Sequence, residues 1–288
     1  MAGRASARAA SLHRNLPMDR YVVVGNPIAH SLSPRIHARF AAQLGERIEY
    51  VTLEAPLDGF RAAVLAFFAS GGRGANVTLP FKVEAFELAD HASDRARAAG
   101  AANVLAKHDE HIEADNTDGA GLVADLRDNL GVRLAGARIL LLGAGGAARG
   151  VVAPLLAERP RALAIANRDV ERAKSLAHRF AAAGPTSALT LDAAGEGDYD
   201  VVVNATSAST RGEPLAFSDA IFRAGAFAYD MAYGYAATEF LARARSRGMR
   251  ASDGLGMLVE QAAESYFLWR GRRPATGAVI AELRAPAP

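Results

Sequence analysis

The chain has 288 residues, half of them apolar, enough for the core of one large domain or two medium ones. Its 33 basic and 31 acidic side chains are interspersed and leave a formal charge of +2, which gives no case for nucleic acid as the main partner. With no cysteine, disulfides and thiolate chemistry are excluded; the seven histidines lack ligand spacing, so no metal is expected, and no apolar run approaches the roughly 20 residues of a membrane span.

Residues 1–17 (MAGRASARAASLHRNLP) carry Arg4, Arg8 and Arg14 and no acid. They read as a disordered, dispensable extension, with Met18 as the functional start. YVVVG (21–25) is a short β-branched run ending in glycine, the pattern of a buried parallel strand. SPRIHARFAAQLG follows at helical spacing, with Ser33 as N-cap, Pro34 behind it and Gly45 as stop. IEYVTLE reads as a strand, LDGFRAAVLAFFAS as a helix and GANVTL as a third strand, which together predict an α/β domain. After residue 118 the alternation restarts. ARILLLG, RALAIANR, YDVVVNAT and GAFAYDMAY read as strands, with helices at GAARGVVAPLLAE and DVERAKSLAHRFAA. Two helical stretches, GLGMLVEQAAESYFLWRG and TGAVIAELRA, close the chain.

LLLGAGGAARG sets Gly143, Gly145 and Ala148 in a G-x-G-x-x-A pattern between a strand and a helix. Gly143 permits the tight turn, Gly145 lets the backbone approach a pyrophosphate at the helix N-terminus, and Ala148 lets helix and strand pack closely. About 20 residues on, an NAD site has an acid for the ribose 2′-hydroxyl. Asn167 stands there instead, followed by Arg168, whose guanidinium suits a 2′-phosphate, and Arg172 lies one helical turn further. NADP(H) is therefore expected, with Asp169 opposing it by charge. In ANVTLPFK (75–82), Asn76 and Thr78 alternate along a strand and so point to one side, Pro80 ends it, and Lys82 follows.

These stretches occur together with others: GNPIAHSLSPRIH (25–37), NVTLPFK (76–82), GAANV (100–104), DNTDGAG (115–121), GAGGAARG (143–150), NR (167–168), NATS (204–207), YDMAY (229–233) and DGLGMLVEQA (253–262). In this order and spacing the chain resembles the shikimate dehydrogenase family from residue 20 to its end. The resemblance implies an α/β substrate-binding domain with a mainly parallel sheet (18–118 and 254–288) and an inserted NADP-binding Rossmann domain (119–253). It implies NADPH-dependent, reversible reduction of 3-dehydroshikimate to shikimate by a cytoplasmic monomer or homodimer. By the same resemblance Lys82 and Asp118 are the catalytic pair. Ser31 and Ser33 take the substrate carboxylate, with Tyr233 nearby, and Asn76, Thr78, Asn103 and Gln261 take ring hydroxyls. Gly143, Gly145, Gly146, Ala147, Asn167, Arg168, Met231 and Gly254 contact the cofactor.

The chemistry is consistent with those residue types. Ketone reduction needs a hydride on carbon and a proton on oxygen; a lysine can give the proton, and an aspartate can orient the lysine. Structural roles stand beside these functional ones: Ser33, Asn116 and Thr117 as helix caps, Met231 and Met257 as core, His30 and His37 as structural or exposed, and YFLWR as a packed helix face. The chain departs from the family pattern at Val104, where threonine is usual, at Ser209 and Thr210, and at Asp169. A quinate dehydrogenase and a non-catalytic NADP-binding module are the alternative functions.

Overall fold

The computed structural model describes residues 18–208, 213 and 216–285; the 1–17 extension and the Ser209 and Thr210 departures lie outside the described residues. The first unit contains β1 (Asp19–Gly25), α1 (Ser33–Leu44), β2 (Ile48–Glu54), α2 (Phe60–Ala69), β3 (Gly72–Val77), α3 (Lys82–Leu88), β4 (His91–Ala92), α4 (Asp94–Ala99), β5 (Val104–His108) and β6 (His111–Asp115). Its sheet has the order β2-β1-β3-β5-β6-β4. β1 is parallel to β2 and β3, and β4 to β6, while β5 runs antiparallel to β3 and β6. The sheet is thus mainly parallel, with an antiparallel hairpin built in. That hairpin was not legible, because its two-residue turn, Asp109-Glu110, lacks the glycine that usually marks such turns, and Asp109 itself adopts φ 47°.

The second unit is built from β7 (Arg138–Leu142), α6 (Gly146–Ala157), β8 (Ala162–Ala166), α7 (Val170–Arg179), β9 (Thr186–Leu189), the single turn α8 (Leu191–Ala194), β10 (Val201–Asn204), β11 (Phe227–Asp230), α9 (Thr238–Ser246) and β12 (Arg250–Ser252). All its strand pairs are parallel, in the order β12-β11-β10-β7-β8-β9. Counted from β7 this is the 3-2-1-4-5-6 order of dinucleotide-binding sheets. The continuous apolar runs of β7, β8 and β10 are buried because helices cover both faces. β9 and β12, at the edges, are short and partly exposed, so they carry no such run.

Between the units the chain passes through α5 (Asp118–Ala124), which continues as a π-turn over Asp125–Asn129, and returns through α10 (Leu255–Arg270); α11 (Gly277–Arg284) follows. α5 and α10 pack against each other. Their approach requires glycine at 121: a Cβ there would lie 2.8 Å from Gln261 Cβ, from the Gln261 backbone nitrogen and from the Met257 carbonyl oxygen. Among the described residues no helix is long and apolar enough to cross a membrane.

Some local expectations need correction. Leu32, not Ser33, precedes α1; Ser33 is its first helical residue, and the Ser31 hydroxyl accepts the Ser33 N–H at 3.3 Å. An orphan donor of the first turn is satisfied from two residues upstream. β3 stops at Val77, so Thr78 lies in the turn rather than on the strand. In YFLWR, Tyr266 is buried and Trp269 stacks on Tyr21 at 4.7 Å, but Phe267 and Leu268 remain 44% and 36% exposed. Met257 is core.

Candidate active site

The segment between β3 and α3 aims Lys82. Phe81, fully buried, stacks on Phe60 with ring centroids 4.9 Å apart, which anchors the turn in the core beneath the sheet. The Ala102 N–H donates to the Lys82 carbonyl at 2.7 Å and fixes the first helical residue from the other side. Held in this way, Lys82 Nζ lies 2.5 Å from Asp118 Oδ2, with the two side chains only 13% and 6% exposed. Asp118 begins α5, where a carboxylate gains from the helix dipole. Its backbone N–H is taken by Asn116 Oδ1 at 3.2 Å; Thr117 makes no side-chain cap.

Asn103 holds the other carboxylate oxygen. Its Nδ2 lies 2.9 Å from Asp118 Oδ1, 2.9 Å from Thr117 Oγ1 and 3.0 Å from Gln261 Oε1, and its Oδ1 accepts the Thr117 N–H at 2.7 Å. Gln261 reaches this point from α10 and donates Nε2 to the Leu258 carbonyl. Asn103, Asp118 and Gln261 therefore meet although 158 residues separate Asn103 from Gln261. Val104, beside Asn103, is buried in β5 and adds no polar atom.

Asn76 does not present its amide to the cleft. Its Oδ1 accepts from the Tyr50 hydroxyl at 2.7 Å, and its Nδ2 donates to Ser265 Oγ at 2.9 Å and to the Asn103 carbonyl at 3.2 Å. Both ends of the amide are engaged in the interior. Thr78, half-buried, makes no side-chain hydrogen bond to any described residue. Ser31 and Ser33 sit where the β1 loop enters α1. Tyr233 comes to the same loop from the second unit: burial raises its phenol pKa, and a hydrogen bond with the Leu32 backbone opposes the rise. His37, one turn beyond Ser33, is fully buried and stacks on Tyr50 at 4.1 Å; burial lowers its pKa to about 3.

Across the cleft, Gly143 ends β7 at φ +107°, where a side chain would meet the Ala205 carbonyl. Gly145 caps α6 without a side-chain hydrogen bond, and a Cβ built on it would have nothing within 4 Å, so the turn is open on that side. A Cβ on Gly146 would lie 4.0 Å from Lys82 Cβ, which sets the lysine against the glycine turn. Ala147 is half-buried beside it, and Ala148 is fully buried under the helix. Gly254 packs against the backbone of Met231, whose side chain rests on the core of the second unit. At the β8 tip, Asn167 Nδ2 donates to the Asp169 carbonyl at 2.9 Å, and Arg168 is exposed. Asp169 has a local role: its carboxylate N-caps α7 by accepting the Glu171 N–H at 3.1 Å, and it lies 3.4 Å from Arg172 Nε. A helix N-terminus behind a glycine turn that is open at Gly145, with guanidiniums at the β8 tip, is the kind of donor set that a dinucleotide phosphate needs.

Three family models match the chain: the shikimate dehydrogenase substrate binding domain over residues 23–105, shikimate / quinate 5-dehydrogenase over 125–212, and the shikimate 5'-dehydrogenase C-terminal domain over 254–284. The shikimate dehydrogenase (NADP(+)) of Dechloromonas aromatica is 55% identical over 268 residues, 93% of this chain and 98% of that protein. That of Aromatoleum aromaticum is 56% identical over 274 residues, with coverage of 93% and 98%. The chain belongs to the shikimate dehydrogenase family. A Thermus thermophilus shikimate 5-dehydrogenase, solved in complex with NADP(H) and shikimate, superposes with a TM-score of 0.81 at 31% identity, over 93% of this chain and 99% of that one.

The shikimate dehydrogenase motifs left several site residues unmarked. Tyr50 and Ser265 hold Asn76, and Arg95 and Ser93 hold Asp115, whose Oδ1 accepts the Asn116 N–H at 2.6 Å just ahead of the Asp118 turn. Burial raises the Asp115 carboxyl, but the Arg95 and Ser93 bonds outweigh it and keep its pKa below the usual value. Each reads in sequence as an ordinary strand or helix residue, so only the long-range contact reveals it. NATS and YDMAY meet through a buried 2.9 Å bond from Asn204 Nδ2 to Asp230 Oδ2, at neighbouring strand ends.

Proposed function

We propose that this chain catalyses the reversible, NADPH-dependent reduction of 3-dehydroshikimate to shikimate. The observation that carries the reading is the 2.5 Å Lys82–Asp118 pair, largely withdrawn from water and set against the glycine turn at Gly146. Bound NADP(H) supplies or accepts the hydride. The Lys82 ammonium gives its proton to the ketone oxygen and stabilises the developing alkoxide; in the oxidative direction the neutral amine takes the hydroxyl proton back. Asp118 orients the amine, Asn103 fixes the aspartate, and Gln261 in turn holds Asn103. Such acid–base help supplies about 10²–10⁴-fold in rate.

Ser31, Ser33 and Tyr233 suit the substrate carboxylate, and Thr78, Asn103 and Gln261 suit its hydroxyls, because small hydroxyl and amide groups offer donors and acceptors together. Asn76 acts behind them, as a support. Gly143, Gly145, Gly146, Ala147, Asn167, Arg168, Arg172, Met231 and Gly254 surround the cofactor. The substrate-binding unit comprises 18–118 and 254–288, and the cofactor-binding unit 119–253. The test is a steady-state assay of shikimate and quinate, each with NADP and NAD. Fastest turnover with shikimate and NADP is expected; comparable or better rates with quinate, or with NAD, would reject the assignment of substrate or cofactor respectively.

A further inference from the structure

A chain of buried polar side chains runs from β2 to α10 behind the Lys82–Asp118 pair. Tyr50 stands on β2 and Asn76 on β3, with β1 between them. The Tyr50 side chain reaches over β1, and its hydroxyl donates to Asn76 Oδ1 at 2.7 Å. Its ring lies flat on the buried His37 imidazole, with centroids 4.1 Å and planes 7° apart. Burial raises the phenol pKa well above its ordinary value, with a hydrogen bond to Ser33 opposing the rise, so the hydroxyl keeps its proton and stays a donor. At the other end of the Asn76 amide, Nδ2 donates to Ser265 Oγ at 2.9 Å and to the Asn103 carbonyl at 3.2 Å. Ser265, fully buried on α10, gives its own hydrogen to the Gln261 carbonyl at 2.9 Å.

The hydrogens in this chain have one consistent arrangement. The main-chain carbonyls of Asn103 and Gln261 can only accept. Asn76 therefore turns its nitrogen toward Asn103, which leaves Oδ1 to Tyr50 and makes the tyrosine the donor. Both hydrogens and the oxygen of the amide are then engaged. Turned over, the amide would set its oxygen against the Asn103 carbonyl, and Ser265 would have to give up Gln261 to satisfy it. We propose that Tyr50 and Ser265 are positioning residues of the reaction, which hold Asn103, and through it Asp118 and the Lys82 ammonium, in the reactive arrangement. The inference rests on the function proposed above. Asn103 passes the constraint on. Asn76 Nδ2 and the Val77 N–H, the latter at 2.8 Å, both grip its carbonyl, and its own Nδ2 reaches Asp118 Oδ1 at 2.9 Å. A misplacement of about 1 Å at a catalytic group is enough to cost about a hundred-fold in rate.

The experiment measures turnover with 3-dehydroshikimate and NADPH for Tyr50→Phe, Ser265→Ala and the double variant Tyr50→Phe/Asn76→Leu, each corrected for the folded fraction read from urea unfolding. Each single variant should lower kcat per folded molecule about ten- to hundred-fold, with the KM for 3-dehydroshikimate changed less than about three-fold. Tyr50→Phe also leaves Asn76 Oδ1 buried without its donor and should lower stability. The double variant removes that group and should regain stability, yet turn over no faster than Tyr50→Phe. A normal kcat per folded molecule overturns the role of the residue replaced. A kcat that returns together with stability in the double variant overturns the proposal and makes the chain a matter of folding alone. Should Tyr50→Phe fail to fold, Ser265→Ala is judged by the same kcat and KM criterion. A wild-type protein that does not reduce 3-dehydroshikimate with NADPH overturns the proposed function itself.

Discussion

Replacing Lys82 with methionine should separate stability from chemistry. Methionine keeps the length of the side chain and removes its charge. In the wild type the ammonium and the Asp118 carboxylate are 13% and 6% exposed and 2.5 Å apart. Removing one member strands a buried charge, which typically costs about 3–5 kcal/mol. Asp118 retains the Asn103 bond at 2.9 Å, so the loss should fall near the lower figure, about 3 kcal/mol. The loss of proton donation and alkoxide stabilisation should cut turnover about 10²–10⁴-fold, or roughly 3–5 kcal/mol in the barrier, with a much smaller change in shikimate binding. Adding Asp118→Asn removes the stranded charge. The double variant should recover at least about 1 kcal/mol of stability, yet turn over no faster than the single one. Urea unfolding of the wild type, each single variant and the double variant, read beside saturating-substrate turnover, tests both halves. Turnover of Lys82→Met within about three-fold of wild type would remove Lys82 from the mechanism. Strictly additive stability losses would refute the coupling of the pair.

Gly121→Ala should destabilise by about 1–3 kcal/mol in chemical unfolding, because the new methyl meets the backbone of α10 at 2.8 Å, and the KM for shikimate should rise as Gln261 is displaced. His37 offers a pH test. Its folded pKa, about 3, lies below the unfolded value near 6.5, so below pH 6.5 the unfolded chain binds the extra proton and stability falls as pH drops toward 3, by about 1.4 kcal/mol per unit. His37→Phe, which preserves ring stacking, should lose less stability than wild type between pH 6.5 and 4; parallel curves would show that His37 titrates normally. Asp169→Ser keeps a capping oxygen but removes a negative charge near Arg172, so the Kd for NADP should fall several-fold with little change for NAD, measured by fluorescence titration.

Runs such as RILLL, ALAIA and YVVV are apolar without alternation, and only a parallel sheet covered on both faces buries such runs completely. With Gly143, Gly145 and Ala148 between strand and helix, they let the sequence determine the α/β class, the position of the dinucleotide turn and the restart of the pattern after residue 118. The ordered motifs placed Lys82 and Asp118 as a pair. Local sequence could not supply what depends on contacts between distant segments. The β5–β6 hairpin lacks a glycine turn, and the edge strands β9 and β12 are too short to show a period. Asn76 looks like a ligand on a strand. Tertiary structure makes it a support, because Tyr50 lies opposite it and Ser265 descends from a helix 189 residues further along the chain. Asp169 reads as a charge opposing a phosphate until the start of α7 gives it a backbone N–H to cap. Arg149 is one guanidinium among many in the sequence; the fold puts it in one cavity wall with Arg172 and Arg179. Periodicity and turn chemistry act over a few residues and are written locally, whereas the partner that satisfies a polar group is chosen by packing, which no local pattern encodes.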